Sequence, residues 1–231
     1  MNDGTDDVRI EVTLPGPLDE VWRAFRDPAV VAQWHGWEYE HLEDEIREIF
    51  LDGTVVEEER RTLHVGGHRF TFEEMGPQTI VRVTRAAPLH SDGMDWDAWY
   101  DDIDEGWRSF LQQLRFAMTR GWGTARRTIH LDGTATAPTH PAAALGLHVP
   151  GGPGERYAAD VAGEHLSGEI WFRSTHQLGL TVDSWGPGLL VLVDAPNAGG
   201  TAASATMSLY GVADDDREAR WSAAWRATYA G

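Results

Sequence analysis

The sequence contains no cysteine and no lysine: all 19 of its basic residues are arginine, in a chain of 231. Without cysteine there can be no disulfide framework, no thiolate-bound zinc or iron–sulfur cluster and no thiol catalysis. Without lysine there can be no Schiff-base chemistry and no Walker-type phosphate lysine. Positive charge is also scarce. The 37 acidic residues leave a formal net charge of -18, which argues against an extended polyanion-binding face, so no nucleic-acid partner is expected. No apolar run approaches the ~18–20 residues that span a bilayer, so no membrane partner is expected either. The opening stretch from Met1 to Ile10 is acidic and polar, unlike a signal peptide. These absences, with arginine in place of every lysine, lead us to expect a protein of a bacterial cytoplasm. A Gly-x-Ser-x-Gly nucleophile elbow is missing. Gly151-Gly152-Pro153-Gly154 reads as a flexible connection, because no lysine follows it and proline removes a donor.

Apolar material is abundant. Hydrophobic residues make up 42% of the chain and aromatics 10%, with 11 tryptophans, enough to build one large domain or two of about 110 residues each. Val8 to Leu14 alternates and reads as a half-buried strand ended by Pro15-Gly16-Pro17. Leu18, Val21, Trp22 and Phe25 have the spacing of an amphipathic helix. Asp27-Pro28 marks a cap and first position for a short helix over 28–34. Strands are expected near 44–50, 55–65, 68–75 and 79–86, with Asp52-Gly53 and Gly66-Gly67 as hairpin turns. Ile103, Trp107, Phe110, Leu111, Leu114 and Met118 form one stripe of a long helix over 101–120, acidic at its start and basic at its end, as the helix dipole favours. Asp92 to Tyr100, before it, reads as an aromatic and acidic loop. Beyond Gly121 the order repeats: a strand at 127–131, a short helix at 141–147, strands at 168–174, 177–184, 188–194 and 203–211, and a closing helix at 214–229. The boundary falls at residue 122, giving domains 1–122 and 123–231, the second a shorter, degenerate α+β copy.

Two stretches carry a family likeness. Val12-Thr13-Leu14-Pro15-Gly16-Pro17-Leu18-Asp19-Glu20-Val21-Trp22-Arg23-Ala24-Phe25-Arg26-Asp27-Pro28, ending at Gln33-Trp34, resembles the opening of bacterial domains related to the activator of Hsp90 ATPase, members of the START/Bet v 1-like (SRPBCC) superfamily. Gly106-Trp107-Arg108-Ser109-Phe110-Leu111-Gln112-Gln113-Leu114 resembles that family's closing helix. The resemblance implies an α+β helix-grip fold, in which a curved antiparallel sheet wraps a long carboxy-terminal helix and a cavity lies between them. Eukaryotic co-chaperones of the family carry a further amino-terminal domain, for which this chain leaves no room before residue 8, so an Hsp90-like chaperone partner is not expected.

Within that frame the expected function is binding of a small apolar or amphipathic molecule between sheet and long helix. Trp34, Trp37, Phe70, Phe72, Trp107 and Leu111 are the candidate wall, since ligand sites are mostly apolar with few polar anchors. His35 would add a polar contact beside Trp34. An enzyme of the cyclase or hydrolase type is the alternative, and it requires a polar pair, His41 with Glu45, facing the cavity. A third reading is an interaction module whose two copies present a surface; a homodimer is compatible with each. His35, His41, Glu43, Asp44, Glu45 and Glu48 crowd together without a recognised zinc spacing, so no metal and no cofactor is expected. His64 and His68 flank the Gly66-Gly67 turn as solvated residues.

Overall fold

The computed structural model describes residues 8–85, 96–135, 139–194, 202–211 and 215–229. The chain divides into two compact units, one of Met1–Tyr100 and Gly106–Trp122, the other of Asp101–Glu105 and Gly123–Gly231. Both are α+β, and each holds one antiparallel sheet.

In the first unit, strand β1 (Val8–Pro15) leads into helices α1 (Leu18–Ala24), α2 (Pro28–Val31) and α3 (Leu42–Arg47). Strands β2 (Val55–Glu57), β3 (Thr62–Val65), β4 (His68–Met75) and β5 (Gln78–Arg85) follow, and helix α4 (Trp96–Phe116) closes the unit. The sheet order is β1-β5-β4-β3-β2. The first strand thus lies beside the last, with Val12 opposite Val81 and Leu14 opposite Thr79. Val65 pairs with His68 across the Gly66-Gly67 turn. Both glycines have positive φ (53° and 79°), the left-handed pair that a two-residue hairpin needs. One face of the sheet is buried: Ile10, Val12, Leu63, Phe70, Phe72, Val81 and Val83 are all inside. The other face keeps charge, and Arg82 donates to Glu11 at 2.6 Å and to Glu73.

Three expectations for this unit are corrected. The strand placed at 44–50 is helix: α3 runs Leu42–Arg47 and continues as a π turn over Glu48–Asp52. Ile46 and Phe50 are both buried while Glu48 between them is exposed, which fits one turn of helix, whereas a strand would bury the intervening i+2 residue on the same face. Three acids, Glu43, Asp44 and Glu45, occupy the first turn, where the dipole favours them. Asp52-Gly53 accordingly terminates a helix instead of turning a hairpin, with Gly53 N–H donating to Glu48 O at 2.7 Å. The strand at 55–65 is broken at Glu58–Arg60 by a 3₁₀ turn, after which Arg61 sits at φ 46°. Its guanidinium bonds Asp19 at 2.7 Å and lies 5.2 Å above the Trp22 ring, contacts that fix this strained residue in place.

The second unit holds β6 (Arg126–Thr134), α5 (Pro141–Ala144), β7 (Arg156–Val161), β8 (Glu164–Arg173), β9 (Gln177–Thr181), β10 (Gly188–Asp194), β11 (Ala202–Tyr210) and α6 (Asp215–Thr228). Its sheet order, β6-β11-β10-β9-β8-β7, again sets the first strand beside the last. Strand β7 was not expected, and among the described residues it gives this sheet six strands where the first sheet has five. Its core joins Ala203, Ala205, Met207 and Leu209 of β11 to Trp221 and Trp225 of α6 and to Tyr229, just past its end. The helix expected at 101–120 begins at Trp96 and passes into a π turn over Ala117–Gly121. The expected loop at 92–100 lies outside the described residues up to 95 and is helical from Trp96.

Candidate functional site

α1 buries Val21 and Trp22, and Phe25 follows them inward. Asp27 caps the next helix, its carboxylate accepting from Ala29 N–H at 3.1 Å, with Pro28 in the first position. This short helix delivers Trp34 and His35 to the interior, 0% and 1% exposed. The Trp34 indole N–H donates to Ala24 O at 3.0 Å, which ties the end of α2 to α1. A buried indole N–H wants such an acceptor.

His35 lies within an array of rings. Its imidazole centroid is 4.9 Å from Phe50 and 4.5 Å from Phe110, with Trp34 at 5.9 Å and Trp107 at 6.1 Å. Phe70 of β4 meets Trp107 of α4 at 4.8 Å, edge to face, so sheet and helix touch ring to ring at this level. Phe25 extends the array to Trp34 at 5.0 Å and Phe72 at 5.0 Å. Of the candidate wall, Trp34, Phe70, Phe72, Trp107 and Leu111 are buried and Trp37 is half-buried.

The polar partner comes from α3. Glu45 Oε1 lies 3.1 Å from His35 Nε2, and the Tyr39 hydroxyl donates to Glu45 Oε2. The bond from His35 holds the Glu45 carboxyl below its ordinary value, against the opposing effect of burial, and Tyr39 adds to the lowering. The same carboxylate, by accepting from the phenol, pushes Tyr39 up to about 12. At neutral pH the site therefore presents an ionised carboxylate and a protonated phenol. It is graded in polarity: the imidazole is sealed, Glu45 is 33% exposed and Tyr39 42%.

The pair expected from sequence, His41 with Glu45, does not form. His41 precedes α3, its side chain 69% exposed and 3.9 Å from Asp44. Glu45 lies one turn further along and points instead at His35. His41 stands just outside the helix that carries Glu45, and a residue there need not share the helix's face. Tyr39, Phe50 and Phe110 were absent from the expected wall. The Ile46/Phe50 spacing could have revealed Phe50, whereas nothing local points Tyr39 at Glu45. Among the described residues no group of three or more His, Asp or Glu is placed to hold a metal ion, and no helix is long and apolar enough to cross a membrane.

No family model and no curated relative matches the chain. Two crystal structures are similar over nearly its whole length. DynU16, a protein from the dynemicin biosynthetic locus, shares 19% identity, with 95% of this chain and 94% of that one covered, at a TM-score of 0.31. The di-domain ARO/CYC StfQ of the steffimycin biosynthetic pathway shares 11% identity over 92% and 90%, at a TM-score of 0.28. At these scores neither likeness adds to what the geometry says about the site.

Proposed function

We propose that the first unit is a small-molecule-binding module of the helix-grip, START/Bet v 1-like type, and that the second unit is a further copy of it. The ligand is an apolar or amphipathic molecule held between sheet and α4. Its wall is the ring array around Trp34, Trp37, Phe70, Phe72, Trp107 and Leu111, and its polar anchor is His35–Glu45–Tyr39 in place of His41. One observation carries this reading: an imidazole 1% exposed, enclosed by rings and held at 3.1 Å by a carboxylate that itself reaches the surface. An apolar interior with one polar end suits an apolar body with one polar group. The common strand order of the two sheets, first beside last, supports the second copy.

Native mass spectrometry of the protein purified from its host tests the reading together with titration by 1-anilinonaphthalene-8-sulfonate. A retained small molecule, or saturable dye binding weakened about tenfold by Trp37→Ala, is expected. No retained mass and dye fluorescence that never saturates would overturn it.

The alternative is acid–base catalysis at the same anchor. It is favoured by the ionised Glu45 carboxylate beside the Tyr39 O–H donor, a proton acceptor and donor in one site. Turnover of a retained ligand, abolished in Glu45→Gln, would select it over simple binding.

A further inference from the structure

A second polar cluster lies within the second unit, built from different elements. Strands β9 and β10 are antiparallel with Gln177 opposite Val193. His176 and Asp194, one step beyond, therefore meet at one end of the sheet. Asp194 N–H donates to His176 O at 3.0 Å, and His176 Nδ1 lies 2.8 Å from Asp194 Oδ1. The neighbouring strands place Ala203 opposite Asp194 and Gly133 opposite Ala203. α6 reaches the same end, because the Trp225 indole N–H donates to Asp132 O at 2.9 Å. Tyr229, one turn on, stacks against Trp225 at 4.4 Å. α5 packs on β10 and β11, and His140 caps it, accepting Ala142 N–H on Nδ1 at 3.1 Å.

The hydrogen bonds assign roles. With the Asp194 carboxylate taken to accept from its Nδ1–H, the His176 ring offers Nε2 as the nitrogen that can act as a base. His140 is the reverse: Nδ1 accepts an amide, so the ring proton sits on Nε2, a donor. Burial pushes His140 below its ordinary value, against the pull of Asp194, and so keeps it neutral. Tyr229 is 2% exposed and its hydroxyl has no hydrogen-bond partner among the described residues; buried hydroxyls are nearly always paired. Burial, then the Asp194 charge, keeps that phenol protonated. The His176 side chain is 32% exposed, so water reaches the base.

We propose that His176, His140 and Tyr229, with Asp194 as positioning residue, form a hydrolytic site for small carboxylic esters. His176 Nε2 takes a proton from water as the water oxygen bonds to the ester carbonyl carbon. The carbonyl electron pair moves onto its oxygen, which accepts from His140 Nε2–H and Tyr229 O–H. When the pair returns, the carbon–alkoxy bond breaks and the proton on His176 passes to the leaving oxygen, giving acid and alcohol. No cofactor or oxidant is needed.

The test is release of p-nitrophenolate from p-nitrophenyl acetate by the full chain. Saturable turnover faster than an equal concentration of free imidazole is expected. His176→Gln should lower kcat/KM at least tenfold. Asp194→Asn should lower kcat about tenfold with KM within twofold, and Asp194→Glu should restore part of it, a split that general loosening would not produce. Tyr229→Phe should lower kcat severalfold. His165→Gln, which alters an exposed histidine paired with Asp160 at 2.9 Å, should change nothing. Turnover no faster than imidazole, His176→Gln keeping more than half the rate, or His165→Gln losing as much as His176→Gln would each overturn the proposal. If His176→Gln does not fold, the Asp194 pair decides.

Discussion

His35 Nε2 and Glu45 Oε1 stand 3.1 Å apart, joining residues ten positions apart through the loop that carries Tyr39. The bond connects a sealed imidazole to a carboxylate at the surface. Removing the carboxylate leaves buried polar atoms without their charged partner, so Glu45→Ala should cost ~1–3 kcal/mol, read from the urea midpoint at pH 7. The folded Glu45 carboxyl lies below its ordinary value of 4.5, so the unfolded chain binds the proton more readily. Its contribution is fully present above that ordinary value and is lost as pH falls through the lowered one. Glu45→Gln should flatten this part of the acid-denaturation curve, and an unchanged curve would sink the assignment.

His130 gives a second pH window. Burial lowers it from 6.5 to about 4, with Asp132 opposing, and Nδ1 lies 2.9 Å from Thr206 Oγ1. Between those values the unfolded chain takes a proton that the folded chain refuses, so stability is full above 6.5 and falls as pH drops toward 4. The loss is roughly 3 kcal/mol at most. Melting curves from pH 7 to 4 should show His130→Gln losing less stability than the parent over this range.

Glu164 pins α6 to its sheet. Its carboxylate, 13% exposed, accepts from Arg220 at 2.6 Å and from the Trp185 indole at 3.0 Å. Arg217, at 3.6 Å from the same carboxylate, lies 4.9 Å over the Trp185 ring. Glu164→Ala removes the carboxylate that these donors share and should cost about 2–4 kcal/mol. Guanidinium unfolding should show it. Arg220→Ala, which removes the more exposed member of the pair, should cost clearly less.

Gly168 allows a close approach between strands. A Cβ there would lie 1.9 Å from Thr181 O, a backbone atom that cannot swing away. Tyr157, opposite Gly168, sends its hydroxyl to that same oxygen at 2.8 Å. Gly168→Ala should therefore destabilise the fold by ~3 kcal/mol or more, read as a lowered melting temperature. Tyr157→Phe, which loses one hydrogen bond, should cost ~1 kcal/mol. Equal effects of the two would contradict this account.

Much of the secondary structure could be read from local pattern. Val8 to Leu14 alternates because one face of β1 is buried, and Trp221, Trp225 and Tyr229 recur every fourth residue because one face of α6 is. The failures have a common cause. At 42–52, Ile46 and Phe50 fit a helix, but the run is short and acidic, and a brief apolar pattern reads as strand or helix alike. β7 has few large apolar residues and gains its place by pairing with β8. The ring array was legible as residue types, since Trp34, Phe70, Phe72 and Trp107 all stand out. The polar anchor was not, because the bond from His35 to Glu45 depends on the path between them.

The sequence by itself determined the available chemistry, which excludes thiols and amines and leaves imidazole, guanidinium, carboxylate and hydroxyl groups. It also determined the amphipathic faces, because periodicity is a property of neighbours along the chain. Only the tertiary structure decided which histidine meets Glu45, and that His176, Asp194, His140 and Tyr229 gather at one sheet end. Such meetings depend on strand register and on the direction in which a helix leaves its loop, and both are set by packing between segments distant in sequence.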